Sequence, residues 1–207
     1  MLRSSPRALL IFTRNPVPGK CKTRLAATIG EQAALNIYIY LLQHTASQCA
    51  GLPDVQKFVY FSESLGDGAI WDTDTFDHRL QQGADLGLRM QRAFEDAFES
   101  GYREVIVIGS DLLDLHTSDL QKAFDLLSEN EAVLGPAQDG GYYLLGLTRP
   151  VSGIFQNKAW GTNTVLKDTL ADLGNTKTAL LPVLNDIDLY EDIEGNPVFE
   201  PFLKKTK

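Results

Sequence analysis

Four cationic side chains, Arg14, Lys20, Lys22 and Arg24, fall within eleven residues of a chain whose formal net charge is −8. They follow a short apolar run and sit in a loop stiffened by Pro16 and Pro18, where Gly19 permits a close backbone approach. Placed between a strand and a helix, such a cluster is suited to a pyrophosphate, met by side-chain cations and by the free N–H groups of a helix start. The second group that could do chemistry is Asp111, at the end of Val105-Ile106-Val107-Ile108-Gly109-Ser110-Asp111. Four successive β-branched residues without alternation predict a strand covered on both faces, as the middle of a parallel sheet requires. Gly109 and Ser110 then turn the backbone and deliver Asp111 to the carboxyl edge, where open α/β sheets bind ligands. A carboxylate there suits a divalent cation bridging phosphates. The competing role, a cap on the next helix, is less suited because that helix starts only near Thr117 or Ser118.

Two further stretches carry acids. Gln138-Asp139-Gly140-Gly141 calls for room or positive φ beside Asp139, which fits a substrate lying against the backbone and equally fits a plain hairpin turn. Later, Asp186, Asp188, Glu191 and Asp192 form a carboxylate run, in which some members solvate or cap a terminal helix and Asp188, after the apolar Ile187, is the one best placed to point inward. Known phosphate-loop motifs fail at the basic loop: Arg14 stands where a Walker A loop needs glycine, Cys21 stands where it needs Ser or Thr, and no Gly-x-Gly-x-x-Gly is present. His44 reads as structural. Trp71 reads as pinning its own loop rather than stacking on a base.

The elements that must position these groups alternate along the chain. Strands are predicted over 8–13, 57–61, 76–80 (weaker), 105–108, 132–134 and 142–147. Helices are predicted over 31–50, where Ala34, Leu35, Tyr38, Leu41, Leu42 and Thr45 recur at spacings of three and four, from Asp85 as N-cap, over 118–129 and over 162–173. The pattern is that of an α/β domain, taken as a single domain over 1–207 because no linker or composition break divides it.

Composition excludes several classes. A pI near 4.9 leaves no basic face for nucleic acid. No apolar run is long enough for a membrane span. The basic start, Met1 to Arg7, lacks the apolar core and cleavage site of a secretory signal. Cys21 and Cys49 form neither a disulfide framework nor a zinc site, which points to the cytoplasm.

Taken in order, Thr13-Arg14-Asn15-Pro16-Val17-Pro18-Gly19-Lys20-Cys21-Lys22-Thr23-Arg24-Leu25, Gln82-Gly83-Ala84-Asp85-Leu86-Gly87, Gly109-Ser110-Asp111, Gly135 to Tyr143 and Asp186-Ile187-Asp188 resemble the motifs of a bacterial family of glycosyltransferase-like proteins, the radical-SAM/selenodomain-associated transferase 1 type. The likeness runs from about Leu9 to Asp192. It implies a nucleotide-diphospho-sugar transferase (A-type glycosyltransferase) fold with a mixed, mostly parallel sheet flanked by helices. It also implies Mg²⁺ or Mn²⁺ on Asp111 and Asp188, and a nucleotide or phosphate site drawn from Thr13, Arg14, Gly19, Lys20, Lys22, Arg24, Gly83, Asp85, Gly87, Ser110, Gly140 and Gly141. One departure is Leu112-Leu113, where many relatives carry Cys-Pro. With Asp139 as base and Lys20 as a second catalytic group, the first expectation is sugar transfer from a nucleotide diphosphate to a small acceptor. The second is nucleotidyl transfer with release of pyrophosphate, and the third is a nucleotide-binding protein without catalysis. Two carboxylates at one metal site are expected to repel, so that one holds a proton in the empty site and Asp111→Asn leaves stability unchanged or higher.

Overall fold

Burial on alternate faces of the inner strands builds the sheet. The computed structural model describes residues 6–203; Met1 to Ser5 of the basic start lie outside the described residues. In β1 (Arg7–Thr13), Leu9 and Ile11 face one side while Ala8 and Leu10 face the other, and all four are fully buried. In β4 (Glu104–Ile108), Ile106 and Ile108 join the first side and Val105 and Val107 the second. With β2 (Gln56–Phe61), β3 (Asp77–Leu80), β5 (Ala132–Pro136), β6 (Tyr142–Leu147) and β7 (Thr178–Leu180), the sheet runs β3-β2-β1-β4-β6-β5-β7. β4 therefore lies at its centre, as its unbroken apolar run predicts. Among the described residues only β6 runs antiparallel to its neighbours.

Helices cover both faces. α2 (Glu31–Ala50) and α4 (Thr117–Leu127) place Leu35, Leu42, Leu120 and Phe124 on Leu9 and Ile106. α3 (Leu86–Glu99) and α5 (Val165–Leu173) place Met90, Phe94 and Leu173 on Leu10 and Val107. A smaller cluster joins Leu25 of α1 (Thr23–Ile29) and Ile37 and Leu41 of α2 to Ile187, Ile193 and Phe199. It fastens the 187–199 segment and α6 (Glu200–Leu203) against the first two helices.

Sequence and structure differ in four places. The long helix spans 31–50 as expected, but a short α1, set off from it by Gly30 at φ 87, precedes it where only a loop was expected. α5 starts at Val165 rather than 162. Thr162 instead bonds the Ala159 carbonyl through its hydroxyl, and Gly140 presses on the backbone of Asn163. β7 escaped the pattern because it is three residues at a sheet edge, with Leu180 exposed. The expected terminal helix is only a 3₁₀ turn over Tyr190–Asp192, followed by α6. Trp71 is buried edge-on against Phe76 at 5.3 Å and so pins its own segment, and the His44 ring bonds the Leu115 carbonyl. Among the described residues no helix is long and apolar enough to cross a membrane.

The central strand carries the site, so its packing can be tested directly. Ile106 has no exposed surface, and Ile106→Ala leaves a cavity between β4 and the helices of its face. The expected cost is about 2–5 kcal/mol. Urea denaturation should show a lower midpoint at unchanged slope.

Candidate functional site

From β1 the chain moves outward through β2 and β3, then returns to place β4 on the other side of β1. The strand order reverses there, which opens a crevice beyond the carboxyl ends of β1 and β4. Thr13 and Arg14 come from one end and Gly109 to Asp111 from the other. The floor is a buried hydroxyl network: Ser110 donates to Thr13 at 3.2 Å, the Arg14 N–H donates to the Tyr38 hydroxyl at 3.0 Å, and that hydroxyl donates to the Arg14 carbonyl.

The centre of the site is ionic. Lys22 adopts a left-handed backbone conformation (φ 49), and its side chain is 5% exposed. Its Nζ donates to Asp111 Oδ2 at 2.8 Å and lies 3.9 Å from Asp188 Oδ1, while Arg24 pairs with the other Asp188 oxygen. Burial pushes the Lys22 pKa down, but the Asp111 carboxylate, helped by Asp188, outweighs it, so the pKa lies above the usual lysine value. An ammonium thus stands between the two carboxylates, a neutralising partner that the expectation from repulsion did not include.

Asp188 arrives there by local pairing. Leu112 and Asp186 form an antiparallel bridge, the Ile187 N–H donates to the Asp111 carbonyl at 3.0 Å, and Ile187 inserts into the cluster with Leu25 and Leu41. Asp192 then caps the turn, with its Oδ2 accepting from the Asp188 and Leu189 N–H groups at 2.8 and 2.6 Å and its Oδ1 from Asn185 at 2.7 Å.

Two cavities meet at this point. A polar groove of about 780 Å³ is lined by Thr13, Arg14, Lys20, Lys22, Arg24, Asp85, Arg89, Ser110, Asp111 and Asp188, among others. A pocket of about 240 Å³ on the other side is lined by Met90, Asp139, Gly141, Tyr142, Trp160 and Asp186, among others. Phe12, Leu86, Gly109 and Asp111 border both.

Most of the expected site residues converge, and some do not. Lys20 reaches the groove but its ammonium pairs with Glu63 at 3.1 Å, with both side chains exposed. Asp139 and Gly141 line the pocket rather than the groove, and Asp139 Oδ1 accepts from the Gly141 N–H at 2.8 Å, so the residue is both turn former and pocket wall. Gly19, Gly83, Gly87 and Gly140 border neither cavity. Three of them serve close packing, since a Cβ would lie 2.8 Å from the Arg89 nitrogen at Gly83, 2.3 Å from the Phe155 carbonyl at Gly87 and 2.4 Å from that of Asn163 at Gly140, whereas Gly19 serves its turn at φ 72. Asp85 caps α3 by accepting from the Leu88 N–H at 2.8 Å, as expected, and also lines the groove.

Three residues escaped the sequence reading. Arg89 faces the groove, held by the Gly83 carbonyl at 3.0 Å; its position one turn after the Asp85 cap was the available signal. Tyr142 read only as a strand residue. Asp186 lies in the pocket, and burial, then the Asp111 and Asp139 carboxylates, push its pKa up. Among the described residues no group of three or more His, Cys, Asp or Glu is arranged to hold a metal ion.

Residues 45–162 match the sequence profile of a family described as "Uncharacterized protein conserved in bacteria (DUF2064)". A protein from Desulfovibrio desulfuricans G20, provisionally named a nucleotide-diphospho-sugar transferase, superposes with a TM-score of 0.85 at 30% identity, over 95% of this chain and 91% of its own. Two more distant structures share the fold alone. One is 4-diphosphocytidyl-2C-methyl-D-erythritol synthase from Anaerococcus prevotii DSM 20548, with TM-score 0.59, 9% identity and coverage of 92% and 93%. The other is Rv0371C of Mycobacterium tuberculosis H37Rv, solved as a manganese complex, with TM-score 0.55, 15% identity and coverage of 97% and 98%. No curated protein matches the chain.

The Asp192 cap gives a prediction with a defined sign. Burial works to raise its pKa, but the backbone N–H groups of Leu189 and Asp188 prevail and hold it below the usual carboxylate value. The stabilisation is therefore fully present above the unfolded value, near 3.9, and is lost as pH falls through the lower folded value. Asp192→Ala should cost roughly 1–3 kcal/mol at pH 7. Denaturation midpoints of parent and variant should start to approach each other below about pH 4 and meet only below the lower folded value.

Proposed function

This chain belongs to the family described as "Uncharacterized protein conserved in bacteria (DUF2064)", and we propose that it is a transferase using a nucleotide-activated donor, with glycosyl transfer from a nucleotide diphosphate as its reaction. The observation that carries this reading is the groove at the strand-order reversal: Arg14, Lys20, Lys22, Arg24 and Arg89 line it, in a protein of net charge −8. Local positive charge on an acidic molecule is suited to an anionic ligand, and a diphosphate carries the charge that such a cluster meets. The nucleotide-diphospho-sugar transferase fold, shared with the Desulfovibrio protein, supports the same class.

Asp111 and Asp188 offer hard carboxylate oxygens, the donors a divalent cation takes, and the Lys22 ammonium that neutralises them would have to move aside for it. Those two carboxylates would hold Mg²⁺ or Mn²⁺, which when bound supplies charge neutralisation to a departing diphosphate. The side chains do the rest. Arg14, Lys20, Arg24 and Arg89 bind and orient the phosphates, and the groove holds the donor against the Asp111 edge. An acceptor hydroxyl from the adjoining pocket then attacks the sugar's anomeric carbon. The bond from that carbon to the diphosphate oxygen breaks, the leaving group keeps the electron pair, and Asp139 takes the acceptor's proton. Buried, unpaired Cys21 and Cys49 support a cytoplasmic setting.

Five cations also favour a second reading, nucleotidyl transfer, because a leaving pyrophosphate demands more positive charge than a nucleoside diphosphate. Incubation with nucleotide sugars and with nucleoside triphosphates separates the two. Release of nucleoside diphosphate with sugar transfer is the expected outcome, and pyrophosphate release from a triphosphate would replace it with the second.

Asp111 gives the quantitative test. Asp111→Asn should abolish Mn²⁺-dependent nucleotide binding in calorimetric titration. Affinity within about threefold of the parent, under 0.7 kcal/mol, would mean that Asp111 holds no metal. The variant should also lose stability rather than keep it, because Lys22 then stays buried with only the more distant Asp188. The expected loss is on the order of 1 kcal/mol, small because Asp111 is 35% exposed and solvent screens the pair.

A further inference from the structure

The pocket beyond Asp111 differs in chemistry from the groove it adjoins. Its wall is apolar and aromatic, with Met90, Tyr142 and Trp160 presenting ring and thioether surface, and Trp160 standing edge-on to Tyr142 at a centroid distance of 6.5 Å. Its charged lining is acidic throughout: Asp111, Asp139 and Asp186 border it, and no Lys, Arg or His does. Asp111 is neutralised from the groove side by Lys22, which also acts on Asp186 at longer range, whereas neither Asp139 nor Asp186 makes an ion pair among the described residues. A phosphate brought here would face like charge with no donor cation to meet it. An apolar face with hydroxyl or amino groups would be matched by the rings and by the carboxylates as hydrogen-bond acceptors.

We propose that this pocket takes the acceptor, and that the acceptor is a small ring compound with free hydroxyl groups and no phosphate, uncharged or carrying an amine. This rests on the reading that the groove takes the nucleotide donor, and it names the other substrate's class. The volume of about 240 Å³ is below that usual for drug-sized ligands, so one ring, or the ring end of a longer molecule, enters. Phe12, Leu86, Gly109 and Asp111 border both cavities, so a hydroxyl in the pocket reaches a donor in the groove across that shared edge. The step is the one already balanced: the acceptor oxygen gains the sugar, the diphosphate leaves, and the proton passes to Asp139. An acceptor phosphate, the nucleophile in nucleotidyl transfer onto a phosphate, has no lining cation to receive it here.

The chain has two tryptophans, and only Trp160 lines the pocket while Trp71 is buried elsewhere, so Trp160 emission reads occupancy directly. The intact protein is titrated with glucose, glucosamine and glucose 6-phosphate, first alone and then with a nucleoside diphosphate and Mn²⁺. Trp160→Phe serves as the control that assigns the signal. Glucose or glucosamine is expected to bind at least tenfold more tightly than glucose 6-phosphate. Asp139→Lys, at an exposed position, should narrow or reverse that ratio by tenfold or more. Equal affinity within threefold, preference for the phosphate, no binding of any probe, or a ratio unmoved by Asp139→Lys would each overturn the proposal. Nucleotide binding is followed separately by calorimetry, so loss of the donor reading and loss of the acceptor class appear as different results.

Discussion

An ammonium held between two carboxylates fixes the geometry of this molecule's site. Lys22 reaches Asp111 from the loop after β1 and approaches Asp188 from a segment that is far away in sequence, so three separate stretches meet in one ionic contact. Removing the lysine would leave two acids facing each other, and removing an acid would leave a buried cation short of a partner. The contact has two uses. It holds the groove's edge together, and it keeps positive charge at the carboxyl ends of β1 and β4.

The rest of the architecture presents that contact. The sheet brings Thr13 and Asp111 to adjacent strand ends, the hydroxyls of Thr13, Ser110 and Tyr38 tie the two ends together beneath, and the Leu25, Leu41 and Ile187 cluster fastens the late segment beside them. Glycine supplies clearance. Where Gly87 meets the Phe155 carbonyl and Gly140 meets Asn163, main chains approach more closely than any side chain allows, and that approach brings Trp160 and Tyr142 around the pocket. These motif glycines act one step away from a ligand, by shaping the wall that a ligand would touch.

Much of this was legible in the sequence, for physical reasons. Unalternating Val105 to Ile108 could only be a strand covered on both sides, and a strand at the centre of such a sheet delivers its next polar residue to the ligand edge. Arg14, Lys20, Lys22 and Arg24 stood out because a cationic cluster is improbable on an acidic chain. What sequence could not tell was direction. Lys22 and Lys20 look alike in a motif, yet one is buried on Asp111 and the other is spread on Glu63 at the rim. Asp186 was invisible as a pocket residue because its neighbours in the chain face the other way. β7 and the delayed start of α5 depend on edge exposure and on a local hydroxyl bond, neither of which leaves a periodic trace.

The order in which the contact's members occur along the chain has a consequence for biogenesis. A ribosome delivers the β1 loop first, β4 next, and Asp188 only after every strand of the sheet has been made. Lys22 and Asp111 are 89 positions apart, and Asp188 lies farther along the chain still, so the pairing with Asp188 is the contact of longer sequence separation. A contact of long sequence separation is the slowest kind to form. Closing the groove against Asp188 therefore waits on more of the chain than forming the Lys22–Asp111 pair does.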